Sequence, residues 1–268
     1  MILVSSIDIF ETLLTTFNKK EVVSNFYMLK DEYAKHIYSK NLFFHEDGQN
    51  LYIYLSKHGF VRLFYFINDL NQPYNIGNIE QSQVLEIIFR GEKQYPTKHI
   101  DFWKSSGFKT HLSRDCYYFK NKELSIDMLN SDVRIRSAKS ENEFFYAKKL
   151  IEENLDLYTG DQLTIEEIEY FAFANLLYIA YEREQPCGML QADFKNGVLW
   201  LGHMVVDASY RGKGIAKVLL EHYLNTGIKL NCNQFQLWVI QNNMPAVKLY
   251  KKYGFNYLNR STCSMLKK

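Results

Sequence analysis

Residues 198–224, VLWLGHMVVDASYRGKGIAKVLLEHYL, constrain the fold more than any other stretch of this chain. Leu199, Leu201, Met204, Val205 and Val206 make a dense, partly β-branched run of the kind found in a buried strand. Asp207-Ala208-Ser209-Tyr210 leads away from it. Arg211-Gly212-Lys213-Gly214-Ile215-Ala216 then opens a helix whose apolar positions, Ile215, Val218, Leu219 and Tyr223, share one face. Asn225-Thr226-Gly227 reads as its C-terminal signal. The unit is strand, tight basic turn, helix.

Such a turn has one obvious chemical use. The first N–H groups of a helix have no internal acceptor, and the helix dipole favours negative charge beside them. Glycines at 212 and 214 keep Cβ atoms away, so a pyrophosphate can approach the main chain. A plain surface turn with solvated bases would use the same residues, and the turn alone leaves both readings open.

Two blocks together decide the matter. Arg211-x-x-Gly214-x-Ala216 resembles the acyl-coenzyme A pyrophosphate loop of the GNAT N-acetyltransferase superfamily. Downstream, Asn243-x-x-Ala246-x-x-Leu249-Tyr250-x-x-x-Gly254-Phe255 resembles that family's second conserved element without a gap. The resemblance covers the C-terminal half. It implies an α/β fold with a mixed α+β sheet, the acyl-CoA N-acyltransferase (GNAT) fold, and acetyl-CoA as cosubstrate with no metal.

Composition narrows the function from the other side. The 47% hydrophobic content is enough for a substantial core. Residues 1–130 hold 15 basic and 15 acidic side chains, and residues 131–268 hold 17 and 15, so neither half has the basic excess of a dedicated nucleic-acid binder. Cys116, Cys187, Cys232 and Cys263 lack CxxC spacing, which argues against a zinc ribbon or a disulfide framework and suits a reducing cytosol. MILVSSIDIFETLL has no basic n-region and meets Asp8 and Glu11 early, so it does not read as a signal peptide. No apolar run is long enough to span a bilayer. The expectation is a soluble cytoplasmic protein, monomer or homodimer, with no membrane or nucleic-acid partner.

Residues 1–40 read as helical, with Val22, Val23, Phe26, Tyr27 and Leu29 as an apolar stripe. Residues 51–55 and 61–67 read as a hairpin, followed by a strand at 84–89, a helix near 96–105 and a strand at 116–119. Phe102-Trp103-Lys104-Ser105-Ser106-Gly107-Phe108 echoes Leu249-Tyr250-Lys251-Lys252-Tyr253-Gly254-Phe255. A repeat of this length suggests duplicated domains. Residues 1–130 are accordingly expected to form a degenerate GNAT-like domain with an acceptor-side or structural role, and 131–268 the GNAT domain. The first half lacks an Arg-x-x-Gly-x-Ala turn; Asn75-Ile76-Gly77-Asn78 comes nearest. The polar segment 120–132 marks the expected boundary. Beyond it the pattern predicts a strand at 133–136, a helix over 142–153, a loop and second helix over 154–173, a hairpin of 176–181 with 188–194 turning through 182–187, strands at 198–206 and 235–240, a helix at 245–253 and a strand at 262–266.

Acyl transfer from a thioester to an amine needs a neutral amine, a carbonyl held against it, donors for the developing oxyanion and a proton for the departing thiolate. The resemblance implies that Met204, Val205 and Val206 offer backbone to the pantetheine arm, that Arg211, Gly212, Lys213, Gly214, Ile215 and Ala216 hold the pyrophosphate, and that Asn243 bonds the pantetheine or the carbonyl. It also implies that the two strands splay to open a cofactor slot. Tyr250 matches the family's tyrosine, and a phenol remains a proton donor at neutral pH. A half-buried tyrosine packed beside Phe255 is its structural alternative.

No general base emerges. Family bases on this strand match Trp200 or Gly202, and strand alternation turns His203 to the opposite face, beneath the sheet. Asp193, Glu182 and a water relay stay open. The segment 154–167 is expected to wall the acceptor site; its Asp156, Asp161, Glu166 and Glu167 suit a cationic amine or simply a solvated helix start. The sequence therefore predicts an N-acetyltransferase acting on a primary amine of a small molecule or peptide by direct attack in a ternary complex. An aminoacyl-tRNA-dependent aminoacyltransferase of tandem type and a non-catalytic acyl-CoA binder are the alternatives.

Overall fold

The computed structural model describes the chain apart from residues 75–78, 92–93 and 121–131. It divides into two compact units, one of Met1–Arg114 with Arg260–Lys268, the other of Asp115–Asn259.

The N-terminal unit contains β1 (Ile2–Leu3), α1 (Ile7–Phe17), β2 (Val23–Ser24), α2 (Lys30–Tyr38), β3 (Leu42–Asp47), β4 (Asn50–Lys57), β5 (Phe60–Ile67), β6 (Ser82–Phe89), α3 (Thr97–Ser105) and the start of β7 (Lys109–Lys120). The C-terminal unit contains the end of β7, then β8 (Val133–Ser137), α4 (Glu141–Asn154), α5 (Ile165–Phe173), β9 (Leu177–Glu182), β10 (Gln185–Lys195), β11 (Val198–Val206), α6 (Ile215–Lys229), β12 (Gln234–Ile240), α7 (Met244–Lys252) and the start of β13 (Asn256–Lys267). The sheet order is β1-β3-β4-β5-β6-β13 in the first unit and β8-β9-β10-β11-β12-β7 in the second. Each order holds an antiparallel run ending in one parallel pair, β5 with β6 and β11 with β12.

Alternation explains why the N-terminal hairpin is apolar on both of its faces through Leu51–Leu55 and Leu63–Ile67. Tyr52, Tyr54, Val61, Leu63, Tyr65 and Ile67 enter a core with Trp103 and Phe108 of the α3 side. Leu51, Ile53, Leu55, Phe64 and Phe66 enter a second core with Phe10 and Phe17 of α1 and Tyr33 and Ile37 of α2. A strand buried on both faces needs apolar residues at every position. In the C-terminal unit α6 and α7 cover one face and α4 and α5 the other. Reciprocal Ser140–Glu143 and Thr164–Glu167 capping boxes start α4 and α5.

Several expectations change. The stripe at 22–29 is extended rather than helical: α1 ends at Phe17, Glu21 takes a left-handed backbone, and Phe26 lays its ring against Phe10, Phe64 and Phe66. β3 is an additional strand. Within the predicted loop and helix of 154–173, the helix is Ile165–Phe173, and Asp156 turns the loop by accepting from the amides of Tyr158 (3.1 Å) and Thr159 (2.9 Å). Gly227 does not end α6. It lies inside the helix, where a Cβ would come within 2.2 Å of the Phe235 ring. The expected boundary at 130/131 lies outside the described residues. The units part within β7 and β13, because Ser261–Lys267 pair with β6 and bury Cys263 and Met265 in the N-terminal core.

Candidate acyl-CoA site

β11 and β12 are partners only through Val198–Leu201 and Gln234–Leu237. Among the described residues no ladder joins them beyond that point, although β11 continues to Val206 and β12 to Ile240. Tyr223 of α6 sits at the last paired rungs, its hydroxyl 2.6 Å from Leu199 O and 3.2 Å from Gln236 O. The strands thus part around Met204–Val206. Met204 and Val206 are half-buried and Val205 is buried with Met189 against α4 and α5.

The chain leaves β11 through a 3-10 turn at Ala208–Tyr210, held by Asp207 accepting from the Ser209 amide (2.9 Å). Gly212 and Gly214 then take φ of +80° and +82°, and Gly214 is the N-cap of α6. A Cβ at either position would meet no atom within 4 Å, so the backbone conformation, not crowding, demands glycine. The first amides of α6 bonded to a described carbonyl are those of Lys217 and Val218, both to Gly214 O. The amides preceding them lie at the positive end of a 15-residue helix.

The bases of the turn are held by the protein itself. Arg211 donates to Val206 O (3.3 Å) and to Asn154 Oδ1 at the end of α4 (2.5 Å). Lys213 pairs with Glu182 at 2.8 Å and lies 4.8 Å from the Tyr210 ring centre. Ile215 is core, so only its amide can serve a ligand, while Ala216 is half-buried. Asn243 caps α7 by accepting from Ala246 N (3.3 Å), which leaves its side-chain NH₂ for any ligand contact. Tyr250, on α7, is buried beside Phe255, ring centres 5.9 Å apart. Burial pushes its pKa well above the ordinary phenol value, which keeps its proton in place.

His203 does not lie where alternation put it. Gln191 faces His203 and Ala192 faces Leu201, so Gly202 is an extra residue in β11. This bulge shifts the alternation by one and turns His203 toward the α4–α5 connection. Its Nε2 lies 3.0 Å from Gly160 O and its Nδ1 2.8 Å from Gln191 Oε1. Gln191 folds across Gly202, where a Cβ would stand 2.0 Å from its Oε1. Burial lowers the His203 pKa, opposed by the Gly160 carbonyl and Asp161. Both ring nitrogens face carbonyl oxygens, so the neutral ring donates to one of them and turns its lone pair toward the other; His203 holds the loop and does not face an amine. Asp193 pairs with Lys195 (2.8 Å) opposite Trp200, at the other end of β11, and Glu182 is taken by Lys213. Sequence reasoning missed Gln191, Asn154 and Gly160. A glutamine inside the apolar run Met189-Leu190-Gln191-Ala192 was the available signal. The loop acids are largely spoken for: Asp156 closes its turn and Glu167 caps α5.

A strand parts from its neighbour and runs into a glycine turn at a helix N-terminus, the arrangement expected at residues 204–216 from the sequence. Residues 142–255 match the model of the Acetyltransferase (GNAT) family, so the C-terminal unit carries a domain of that family. Over 66 residues the chain is 35% identical to a "Probable spermine N(1)-acetyltransferase" of Bacillus subtilis subsp. natto, covering 24% of this chain and 43% of that protein. It is 34% identical over 80 residues to the peptidyl-lysine N-acetyltransferase YjaB of Escherichia coli, covering 30% and 48%. The chain thus spans less than half the length of these relatives. Solved GCN5-related acetyltransferases share the fold. A tandem GNAT protein from the clavulanic acid biosynthesis pathway aligns with 82% of this chain and 80% of its own at a TM-score of 0.55 and 10% identity. No described helix is long and apolar enough to cross a membrane.

Proposed function

We propose that the C-terminal unit is an N-acetyltransferase that moves the acetyl group of acetyl-CoA to a primary amine of a small molecule or peptide, by direct attack with both substrates bound. The observation that carries this is the parting of β11 from β12 directly before the Gly212/Gly214 turn of α6. Acetyl-CoA supplies a thioester-activated acetyl group. The backbone of Met204–Val206 would align it, and the amides of Gly212–Ala216 with Arg211 and Lys213 would hold its diphosphate. Its arrival would displace Glu182 from Lys213 and Asn154 from Arg211. Asn243 would steady the arm, and Tyr250, its proton retained by burial, would protonate the departing thiolate. The amine classes named for the relatives support a primary amine acceptor. No side chain is assigned as base, and a water relay fits the site. The four free, buried cysteines suit the reducing cytoplasm expected from the sequence.

A thermal-shift titration tests this reading. Acetyl-CoA at about 100 times its Kd should stabilise the chain by about 2.7 kcal/mol, and Gly214→Glu should abolish the shift. An amine panel read by thiol release then names the acceptor class. No shift at saturating acetyl-CoA would sink the reading.

A further inference from the structure

Both units part their parallel strands, but the gaps they leave are not alike. β5 and β6 pair only through Phe60–Arg62 and Ser82–Val84. Into the space beyond comes the connection between α1 and α2. Its β2 pairs with Phe66 and Ile67 of β5, and the next residue, Asn25, is buried at 6% exposure. Asn25 Oδ1 accepts from Tyr65 N (2.8 Å), and its Nδ2 donates to Leu63 O (3.1 Å) and to Glu86 O of β6 (3.1 Å). One side-chain amide therefore uses its acceptor and both donors to bridge the parted strands. Phe26 and Tyr27 clamp the segment on Phe64, and Arg62 donates to Tyr27 Oη (3.1 Å).

The two gaps are equivalent in position. Tyr65 stands two residues before the end of β5, as Met204 does in β11, and each faces the core of the helix that follows the next strand, α3 or α7. Phe64 and His203 both face the opposite side, toward the first two helices of their units. The N-terminal unit also lacks a helix after β5 among the described residues of 68–81. Asn50 organises that turn, accepting from the amides of Asn68 (2.9 Å) and Asp69 (3.2 Å). The face that a helix would cover is filled by Tyr74 and the fully buried Trp103, ring centres 5.1 Å apart. Among the described residues there, no helix N-terminus is present to meet a diphosphate.

We propose that the α1–α2 connection is a permanent internal occupant of the N-terminal strand gap. Asn25 satisfies the backbone groups that a bound amide would satisfy, and the chain takes up one acyl-CoA, in the C-terminal unit alone. The stoichiometry rests on the acetyl-CoA reading above; the filled gap does not.

Hydrogen exchange resolved to residues 63–67, together with equilibrium titration of acetyl-CoA, tests both parts on the full chain. Exchange at 63–67 should be slow without ligand and unchanged by saturating acetyl-CoA, and at least tenfold faster in Asn25→Ala. Should that variant unfold, Asn25→Gln, which keeps the amide but displaces it by one methylene, should show a smaller rise. Titration should give one site in the wild type and none in Gly214→Glu. A second site, a site surviving Gly214→Glu, or fast exchange at 63–67 that acetyl-CoA slows would overturn the proposal. A wild type that binds no acetyl-CoA overturns the stoichiometry and the cofactor reading together, while slow, Asn25-dependent exchange would still uphold the filled gap.

Discussion

The connections α1–α2 and α4–α5 join corresponding helices of the two units, yet they end their reach at different depths. The first enters the gap between β5 and β6 and ties both strands through Asn25. The second stops at the surface of β11, where Gly160 O meets His203, and leaves the space beside Met204 to others. A gap closed by its own chain is structural: its polar groups are satisfied once, during folding. A gap left open must satisfy them with solvent or a ligand, and so can report on ligand concentration. On the proposed reading the same strand arrangement supports a fixed element and a binding element, and the inserted segment around Asn25 separates them.

The sharpest way to break this comparison is to delete residues 260–268. That removes the β6 partner strand and the wholly buried Cys263 and Met265 from the N-terminal core. Losing one large buried side chain costs about 2–5 kcal/mol, and losing a whole strand with its buried residues is comparable with the roughly 5–15 kcal/mol that holds a domain folded. The N-terminal unit should unfold, read as loss of the blue-shifted emission of buried Trp103. A deletion variant that melts like the wild type would show that β13 is not integral to that unit.

Chemistry should fall on one side only. Trp103 stands in α3 as Tyr250 stands in α7, each followed four residues later by a left-handed glycine, and each accepting through its carbonyl from Phe108 (2.9 Å) or Phe255 (3.1 Å). Tyr250→Phe should lower kcat by about 10²–10⁴-fold, the range for a lost proton donor, while the Kd for acetyl-CoA stays within about twofold. Trp103→Phe should change stability and leave kcat alone. Equal kcat for Tyr250→Phe and wild type would leave Tyr250 as a packing residue.

Gly202→Ala attacks the contact that keeps the α4–α5 connection outside the gap. Its Cβ would displace Gln191, freeing His203 from one partner. A buried hydrogen bond broken with its partner left in place costs about 1–3 kcal/mol. The expected outcome is that loss of stability together with a raised KM for the amine at unchanged acetyl-CoA affinity. A variant that weakens only acetyl-CoA binding would place the loop on the wrong side of the reaction.

What could be read in the sequence follows how local each feature is. The strand–turn–helix of 198–224 is encoded within 27 consecutive residues, by periodicity and by two glycines whose φ values only glycine adopts readily. The echo of Trp103-x-x-x-Gly107-Phe108 with Tyr250-x-x-x-Gly254-Phe255 was legible for the same reason. Asn25 was not, because a single asparagine in Val22-Val23-Ser24-Asn25-Phe26 fits the polar face of a helix as well as a bridge to strands about 40 and 60 residues away. The facing of His203 depends on one extra residue in a ladder, which alternation cannot foresee. The terminal strands were legible as strands, but their membership in a unit is a tertiary choice between edges.

The smallest expected effect concerns α6, the helix with no counterpart after β5 among the described residues. His222 on that helix lies edge-on to Tyr178, ring centres 4.4 Å apart, and its buried Nε2 has no partner among the described residues. Burial, with a contribution from Lys229, lowers its pKa to about 4. An unfolded histidine titrates near 6.5, so between these values the unfolded chain binds a proton that the native chain refuses. Stability contributed by the neutral ring is therefore complete above about pH 6.5, falls as the pH drops toward 4, and changes no further below it. The ring is partly exposed, so about 1–2 kcal/mol of the full linkage should survive solvent screening. Urea midpoints measured at pH 7 and pH 4.5 should fall further for the wild type than for His222→Gln, by that difference. Because the effect belongs to α6, saturating the C-terminal site should shift both midpoints upward without removing the gap between them. Parallel pH profiles for the two proteins would mean that His222 takes up its proton in the native chain as readily as in the unfolded one, and that the acid sensitivity of the C-terminal unit lies elsewhere.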